Sequence, residues 1–356
     1  MNKMITAKNI ANFNYRQKIN LMIVAVSISA TLSSGLYAQN AGTVQPLGEA
    51  QAKKFYSSTI DDNNNVWFLT EKGIVSFDGQ KWTSHSNPNI AANGLKSVAY
   101  DNSSLLLATP KGAAVATIPL SQGSAVKSFS PENSKILGEN VLAIAAGKKD
   151  LKWFGTDKGI SAVKGDKWLT NSYDNNYPES IFDIVTITSM ATTLNGDSLF
   201  VGTKGGGVMR VYRDSEADAV TGASEYLAWG PILMPSDSVY CVHVSADGVQ
   251  WMGTDKGIAR HKGFKTLEGW TVFTKEDGLI DDFVQAISSD SKGNIYFGTK
   301  NGLSVFNGST WKSIKESDGL AGKNILSLSV DKKDVVWVGT DNGVTSITGE
   351  KLVSYR

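Results

Sequence analysis

The chain has 356 residues and a formal charge of +1, with 19% charged and 41% hydrophobic residues. This balance is ordinary for a folded protein and excludes a largely disordered chain. The single cysteine, Cys241, excludes an internal disulfide, so a packed core must hold the fold together. The near-neutral charge offers no basic surface for nucleic acid or for an anionic membrane.

The first 38 residues have the pattern of a secretory signal peptide. Residues 1–20 carry four basic residues and no acidic one, and an apolar run follows from Leu21 to about Leu32. Small residues then lead to Ala38, after which we expect cleavage. An uncleaved anchor is the alternative, but the run is well below the roughly 20 strongly apolar residues that span a bilayer. Cleavage would leave a periplasmic or secreted chain of charge −3, with no further membrane insertion.

A short phrase recurs along the rest of the chain. It reads Trp-Phe-Gly-Thr-Asp-Lys-Gly-Ile at residues 153–160 and is nearly repeated at 251–258 and 337–344. Aligned on its threonine, the phrase occurs seven times, at Thr70, Thr109, Thr156, Thr203, Thr254, Thr299 and Thr340. The copies are 39 to 51 residues apart, a period typical of propeller blades.

Each copy contains four predicted strands. In the sixth copy the strands are predicted at 284–288, 295–299, 303–306 and 310–314, and turns rich in Gly, Asn and Asp separate them. The sequence therefore predicts an all-β fold, a seven-bladed β-propeller with four-stranded antiparallel blades, which spans residues 51–356 as one domain. Six or eight blades are the alternatives. Residues 39–50 form a leader that either closes the ring or is disordered.

The motif resembles a known repeat family. Trp-Phe-Gly-Thr-Asp-Lys-Gly-Ile, Tyr-Phe-Gly-Thr-Lys-Asn-Gly-Leu-Ser-Val-Phe-Asn-Gly and the linker Asp277-Gly278-Leu279 are similar to the two-component regulator propeller repeat. The resemblance covers essentially the whole mature chain. It implies a propeller of the kind found as the periplasmic sensor half of hybrid kinases that detect glycan fragments. This chain departs from that design, since no membrane helix, kinase or regulator domain follows the propeller in the sequence.

The repeat accounts for all nine tryptophans. Trp67, Trp153, Trp251 and Trp337 take one position in the second strand, and the other five, including Trp229, are assigned to fourth strands. Large aromatic side chains at such positions fill the space between wedge-shaped blades. We therefore expect the tryptophans to be core residues rather than sugar platforms.

The candidate ligand-binding residues are those that the repeat does not require. The predicted binding face combines aromatic residues of the long linkers, two acidic residues and two arginines: Tyr173, Tyr177, Phe182, Phe283, Asp281, Asp282, Arg210 and Arg260. Lysines of the tight turns, among them Lys300, lie on the same face. Loops longer than a fold requires are often functional, which favours these segments.

His243 is an irregularity inside a regular strand. Other copies place Thr59, Ala145, Ser288 or Ser329 at this position, near the predicted channel. A residue that the fold does not require is a candidate for function, and His243 would be the catalytic residue if the protein were an enzyme. A hydrogen-bonded histidine between two blades is the alternative, and Cys241 is expected to be a buried small residue.

The sequence predicts no metal site and no cofactor. The histidines lack metal-ligand spacing, and Asp61 to Asn65 lies where every copy has a turn, so it is interpreted as a turn rather than a calcium loop. The leading hypothesis is a non-catalytic binding, sensor-like or scaffold propeller with a glycan fragment or an envelope protein as ligand. The alternative is a polysaccharide lyase or hydrolase with its site at the channel mouth. A third possibility is half of a split sensor that docks on a separate membrane kinase.

Overall fold

The fold is a ring of seven β-sheets. The computed structural model describes residues 42–90, 94–171, 186–214, 219–223, 234–262 and 269–356. Within these residues, thirty strands form seven sheets, and each sheet contains four consecutive antiparallel strands. The predicted fold class and the count of seven blades are confirmed.

The first four blades lie between residues 55 and 223. Blade one contains β2 (Phe55–Ile60), β3 (Val66–Thr70), β4 (Gly73–Phe77) and β5 (Trp82–His85). Blade two contains β6 (Val98–Asp101), β7 (Ser104–Thr109), β8 (Gly112–Thr117) and β9 (Val126–Phe129). Blade three contains β10 (Val141–Ala146), β11 (Leu151–Thr156), β12 (Gly159–Lys164) and β13 (Lys167–Trp168). Blade four contains β14 (Thr170–Asn171), β15 (Thr186–Thr192), β16 (Ser198–Lys204), β17 (Val208–Asp214) and β18 (Ala219–Ala223).

The last three blades complete the ring. Blade five contains β19 (Val239–Val244), β20 (Gln250–Thr254), β21 (Gly257–His261) and β22 (Trp270–Phe273). Blade six contains β23 (Val284–Ser289), β24 (Ile295–Thr299), β25 (Gly302–Phe306) and β26 (Trp311–Ile314). Blade seven contains β27 (Ile325–Val330), β28 (Val336–Thr340), β29 (Gly343–Thr348), β30 (Lys351–Tyr355) and β1 (Thr43–Gln45). The described helices are 3-10 turns at Gly48–Ala50, Lys275–Asp277 and Glu316–Asp318.

The segment assigned to the leader joins the last blade. Strand β1 pairs in parallel with β30, with Val44 opposite Ser354. Leu47 then donates its backbone N–H to the Arg356 carbonyl at 3.2 Å. Leu47 and Ala50 are buried in the core cluster that blades seven and one share. The sequence left open whether this segment closes the ring or is disordered. From residue 42 to residue 50 the structure has it closing the ring, through the pairing of β1 with β30.

Blade four differs from its predicted layout. The sequence assigned its fourth strand to the neighbourhood of Trp229, whereas the structure places that strand at Ala219–Ala223. Here Val220 is fully buried between blades three and four and pairs with Arg213. The buried valine supplies the packing that the sequence interpretation assigned to tryptophan. Trp229 itself lies outside the described residues.

The tryptophans of the second strands belong to the core. Trp67, Trp153, Trp251 and Trp337 are 4%, 0%, 3% and 5% exposed and pack toward the next blade. Among the fourth-strand tryptophans, Trp82 is equally buried, and Trp168, Trp270 and Trp311 pack at the edges of clusters. The prediction of core packing is confirmed for all eight described tryptophans.

The Gly-Thr phrase is explained by two contacts. Each of the seven threonines donates its hydroxyl to the carbonyl of the glycine that ends the tight hairpin, at 2.8 to 3.0 Å. The preceding glycine leaves room for the next blade: a Cβ on Gly298 would lie 2.6 Å from Ile325 Cγ2. The threonine thus holds the hairpin closed, and the glycine before it lets the next blade pack closely.

Acidic turn residues hold the opposite ends of the strands. Asp61 Oδ1 accepts hydrogen bonds from the N–H groups of Asn63 and Asn65, and Asp61 Oδ2 accepts one from Trp67 Nε1 at 2.9 Å. The interpretation of Asp61 to Asn65 as a turn is confirmed. Because its carboxylate is already satisfied by the turn, this segment does not present the free oxygens that a calcium ion requires.

Candidate functional site

The propeller has two chemically different faces. The innermost strands, β2, β6, β10, β15, β19, β23 and β27, begin at the face that carries the interblade linkers and the Gly-Thr hairpins. We call this the linker face. The innermost strands end at the opposite face. It carries the turns between the first and second strands of each blade, and we call it the turn face. Strands of six residues separate the two faces by about 20 Å.

A cavity of about 300 Å³ lies on the axis, toward the linker face. Three successive residues of each blade line it, in the innermost strand or, in blade two, directly before and at its first residue: 56–58, 96–98, 142–144, 188–190, 240–242, 285–287 and 326–328. The middle residue of every triplet is small, namely Ser57, Ser97, Ala143, Ser189, Cys241, Ala286 or Ser327. These small side chains leave the axis open, so the larger residues one step nearer the linker face define its mouth.

The channel mouth carries an aromatic cluster on one side. The Tyr240 and Phe283 ring centroids are 4.5 Å apart, and Lys300 Nζ lies 3.5 Å from the Phe283 ring centroid. Tyr240 and Phe283 are both half-buried, whereas Lys300 is exposed. Gln285 lies beside them and donates to the Ile325 carbonyl at 2.7 Å. A cation over an aromatic ring orients both groups, so this cluster is preorganised rather than loose.

The far side of the mouth is polar. Lys96 Nζ donates to Asn140 Oδ1 at 2.6 Å, and Tyr56 lies on the neighbouring strand of blade one. Lysines therefore stand on both sides of an opening that aromatic and amide groups also line. This combination suits a polar ligand that presents both hydroxyl groups and an apolar face.

Asp281 and Asp282 have structural contacts. Asp281 Oδ1 accepts the Phe283 N–H at 2.8 Å, and its other oxygen accepts a hydrogen bond from the Asn301 side chain. Asp282 Oδ1 accepts the Lys275 N–H at 2.8 Å, and its carbonyl accepts the Gly257 N–H at 2.7 Å. Both residues fix the linker that delivers Phe283 to the mouth.

His243 does not line the axial cavity. It pairs with Trp251 in the sheet, and its Nε2 lies 2.8 Å from Ser289 Oγ of blade six, near the turn face. Burial lowers the pKa of His243 to about 4, so the ring is neutral at pH 7. The geometry is that of a hydrogen-bonded histidine between two blades. An enzyme site at the channel mouth would therefore have to work without this residue.

Cys241 is equally unsuited to catalysis. Its side chain is buried, with Sγ 3.8 Å from the Val284 carbonyl, and burial raises the pKa of its thiol. A buried neutral thiol is a poor nucleophile. The expectation of a buried small residue is confirmed.

The two arginines occupy equivalent positions in the third strands of neighbouring blades. Arg210 pairs with Phe200 and Arg260 pairs with Trp251. The Arg210 guanidinium carbon lies 3.9 Å from the Tyr212 ring centroid, and Arg210 Nη1 donates to the Tyr212 hydroxyl at 2.6 Å. Arg260 lies in the same row as His243, toward the turn face. The structure therefore does not bring Arg260 to Asp281, Asp282 and Phe283 as the predicted binding face required.

Three of the predicted ligand-binding residues cannot be placed. Tyr173, Tyr177 and Phe182 lie outside the described residues, and their role stays a prediction. Sequence reasoning missed Tyr240, which has no special spacing. The sequence could have indicated Tyr240 through its position, directly after the first buried residue of an innermost strand. The residues at this position line the channel mouth and vary between blades, among them Tyr, Lys, Gln, Leu and Thr.

Two further findings concern helices and potential metal ligands. No helix in the described part of the chain is long and apolar enough to cross a membrane. Across the same described ranges, no group of three or more His, Cys, Asp or Glu side chains is arranged to hold a metal ion.

Comparison with known proteins gives one family match. A family model described as two component regulator propeller matches residues 278–301 and 319–342, which enter blades six and seven. No curated protein matches the chain. The matched segments include the linkers before β23 and β27 and the Gly-Thr hairpins at Thr299 and Thr340.

Solved structures with the same fold include extracellular domains of two B. thetaiotaomicron systems and a lyase. The extracellular domain of a hybrid two component system from B. thetaiotaomicron has a TM-score of 0.65 and 21% identity, covering 83% of this chain and 39% of that one. The extracellular domain of a one component system from the same organism has a TM-score of 0.62 and 20% identity, covering 84% and 38%. A catalytically inactive virginiamycin B lyase from Staphylococcus aureus with quinupristin has a TM-score of 0.61 and 14% identity, covering 82% and 94%.

These comparisons establish the repeat type and the fold. The chain spans about two fifths of the length of the two B. thetaiotaomicron domains. At these identities the structural likeness concerns the fold alone, and function must be argued from the site. The resemblance to the two-component regulator propeller is confirmed at residues 278–301 and 319–342, and the chain is a seven-bladed β-propeller.

Proposed function

We propose that the protein is a non-catalytic, extracytoplasmic ligand-binding propeller that binds a glycan fragment at the channel mouth. The observation that supports this most directly is the half-buried pair Tyr240 and Phe283 beside an open axial cavity, with Lys300 held over the Phe283 ring. Aromatic rings offer apolar area to a sugar face, while Lys96 offers donors and the Gln285 side-chain oxygen offers an acceptor to its hydroxyl groups.

The cavity size fits a small ligand. About 300 Å³ lies at the lower end of the usual range of ligand pockets, which corresponds to one or two sugar units rather than a long chain. A longer glycan would have to extend across the linker face. The proposed location outside the cytoplasm has support from the signal-peptide pattern and from the extracellular nature of the two B. thetaiotaomicron domains with this fold.

A binding role fits the contacts better than an enzymatic one. His243 is neutral and lies between blades near the turn face, and the Cys241 thiol is buried. Asp281 and Asp282 are engaged in holding the linker. Within the described residues, the channel mouth thus presents recognition groups, and no pair of a free acid and a free base is poised across it.

The test is a glycan array with the purified protein, followed by calorimetric titration of the best fragment and chromatography of the mixture. We expect binding without product, and about tenfold weaker binding in Phe283→Ala or Tyr240→Ala. Leu194→Ala is the control, because Leu194 is 51% exposed and adjoins Gly248 in the turns of the opposite face.

Two outcomes would contradict the proposal. Product formation that disappears in His243→Ala would make the protein an enzyme. Failure to bind any glycan, with the fold intact, would favour an envelope protein or a separate membrane kinase as the partner of this face.

A further inference from the structure

A second cavity lies between blades five and six at the turn face. Its volume is about 330 Å³, and the turns that follow β19 and β23 form its rim. Trp251, Ile295 and Phe306 form an apolar wall, and Arg260 is the charged residue beside that wall. We call this cavity the blade five–six cleft. It is separate from the channel mouth, which lies at the other end of the same strands.

Arg260 has unused hydrogen-bonding capacity. Its Nε is buried and has no hydrogen-bond partner among the residues that the structure describes, and its guanidinium carbon lies 5.4 Å from the Trp251 ring centroid. Within the described residues, no carboxylate oxygen lies within 4.0 Å of its guanidinium nitrogens. A buried donor without a partner costs about 1–3 kcal/mol, so its retention calls for an explanation.

The acidic residues at the rim do not neutralise Arg260. Asp290 accepts four hydrogen bonds, from the N–H groups of Lys292 and Asn294, the Asn294 side chain and the Tyr296 hydroxyl. Asp247 Oδ1 accepts the Ser245 hydroxyl at 2.6 Å, which is the main cause of the lowered pKa of Asp247. Both carboxylates therefore accept hydrogen bonds from groups of their own blade rather than from Arg260.

The arrangement is peculiar to blade five. The row across its sheet reads His243, Trp251, Arg260, and in blade seven the same row reads Ser329, Trp337, Ser346. Blade four has an arginine in the row, Arg210, but that guanidinium is already held by Tyr212. In blade five the three side chains of this row lie beside the cleft: Trp251 and Arg260 line it, and His243 bonds to Ser289, which also lines it.

We propose that the blade five–six cleft binds a small carboxylate with an apolar body. The Arg260 guanidinium would take the carboxylate through its planar pair of donors, and the Trp251, Ile295 and Phe306 wall would take the apolar body. Lys292, exposed at the rim, adds a second positive charge. Ser289 Oγ, held by His243, lines the same cleft and offers a hydroxyl.

A singly charged carboxylate suits the cleft better than a sulfate or phosphate group. Asp247 keeps one negative charge at the rim, which repels a doubly charged anion more strongly than a singly charged one. The apolar wall also favours a ligand that carries more than its charged group. The inference does not depend on the glycan proposal, because it concerns different residues at a different face.

The test uses benzoate as the probe, benzamide as its uncharged equivalent, acetate as the carboxylate without an apolar body, and sulfate as the competing anion. Calorimetry gives the affinities at constant ionic strength, and the arginine Nε–Hε signals in ¹H–¹⁵N spectra report the contact. We expect one arginine signal, absent in Arg260→Gln, to shift with benzoate and not with benzamide. Benzoate affinity should fall at least about tenfold in Arg260→Gln.

Arg210→Gln is the matched control, because it removes the same charge from the equivalent strand position of blade four. It should leave benzoate affinity unchanged. Three results would overturn the proposal: no arginine shift in the wild-type protein, equal loss of affinity in both variants, or tighter binding of sulfate or acetate than of benzoate. The wild-type spectrum keeps the test decisive even if Arg260→Gln folds poorly.

Discussion

Blades five and seven place a tryptophan at the same point of the same row, yet the surroundings differ. In blade seven, Trp337 donates to Asp331 and packs against Phe77 and Tyr355, with small Ser329 and Ser346 beside it in the row. In blade five, Trp251 lies between His243 and Arg260. Blade five thus has two polar groups in this row, His243 and Arg260, where blade seven has two serines.

The comparison separates two kinds of residue. The threonine and the hairpin glycine occur in every blade because every blade must close its hairpin. The tryptophan and the glycine before the threonine serve packing between blades where they occur. The additions in blades five and six, namely Tyr240, Phe283, Lys300 and Arg260, vary while the fold stays constant. We infer that these additions serve binding, and the predictions below test this division, from the largest expected effect to the smallest.

The largest effect should come from removing the shared tryptophan. Trp337→Ala and Trp251→Ala should each lower the free energy of unfolding by about 3–5 kcal/mol, because each leaves a cavity between two blades. Urea denaturation followed by circular dichroism measures both. A loss below about 1 kcal/mol in either variant would show that the tryptophan is not part of the core.

The next effect is a dependence of stability on pH that comes from His243 of blade five, where blade seven has Ser329. The unfolded chain binds a proton at His243 near pH 6.5, whereas burial lowers the pKa in the folded chain to about 4. Stability from this residue is therefore complete above pH 6.5 and is lost as the pH falls toward 4, by about 3 kcal/mol.

His243→Gln should remove that part of the pH dependence. Burial also lowers the pKa of His85, so a remainder of the same sign will persist in the variant. Denaturation curves at pH 7 and pH 4.5 for wild type and variant measure the difference. An unchanged pH dependence would contradict the buried, neutral state of His243.

A smaller and equal effect is expected at the hairpin threonine of both blades. Thr254→Val and Thr340→Val each remove a buried hydroxyl that donates to a glycine carbonyl at 2.8 Å. Each variant should lose about 1 kcal/mol, as is usual for a buried hydrogen bond. Unequal losses in denaturation experiments would show that the hairpin lock differs between the blades.

Much of the fold could be predicted from the sequence, because each contact that defines a blade is local in the chain. The threonine hydroxyl reaches a glycine only three or four residues later, so the phrase records the hairpin directly. The fourth strand of blade four was misplaced because its buried residue is Val220 and not a tryptophan. Where the fourth strand of a blade buries another apolar residue, the position of a tryptophan does not locate that strand.

The candidate sites were harder to predict because they join residues from neighbouring blades. Phe283 and Tyr240 meet across 43 positions of sequence, and His243 meets Ser289 across 46. The different surroundings of Arg210 and Arg260 could have been predicted from the sequence. Tyr212, two residues after Arg210, accepts a hydrogen bond from its guanidinium and lies under it, and blade five has Lys262 at that place.

The smallest expected effect tests the central claim, that the additions to blade five serve binding rather than folding. The measurement is the free energy of unfolding of Arg260→Met beside the wild type. Methionine keeps the contact with Trp251 and removes a buried donor that has no partner. We expect stability to stay the same or rise by up to about 1 kcal/mol. A loss of more than about 2 kcal/mol would show that Arg260 holds the blade together, and would contradict this claim.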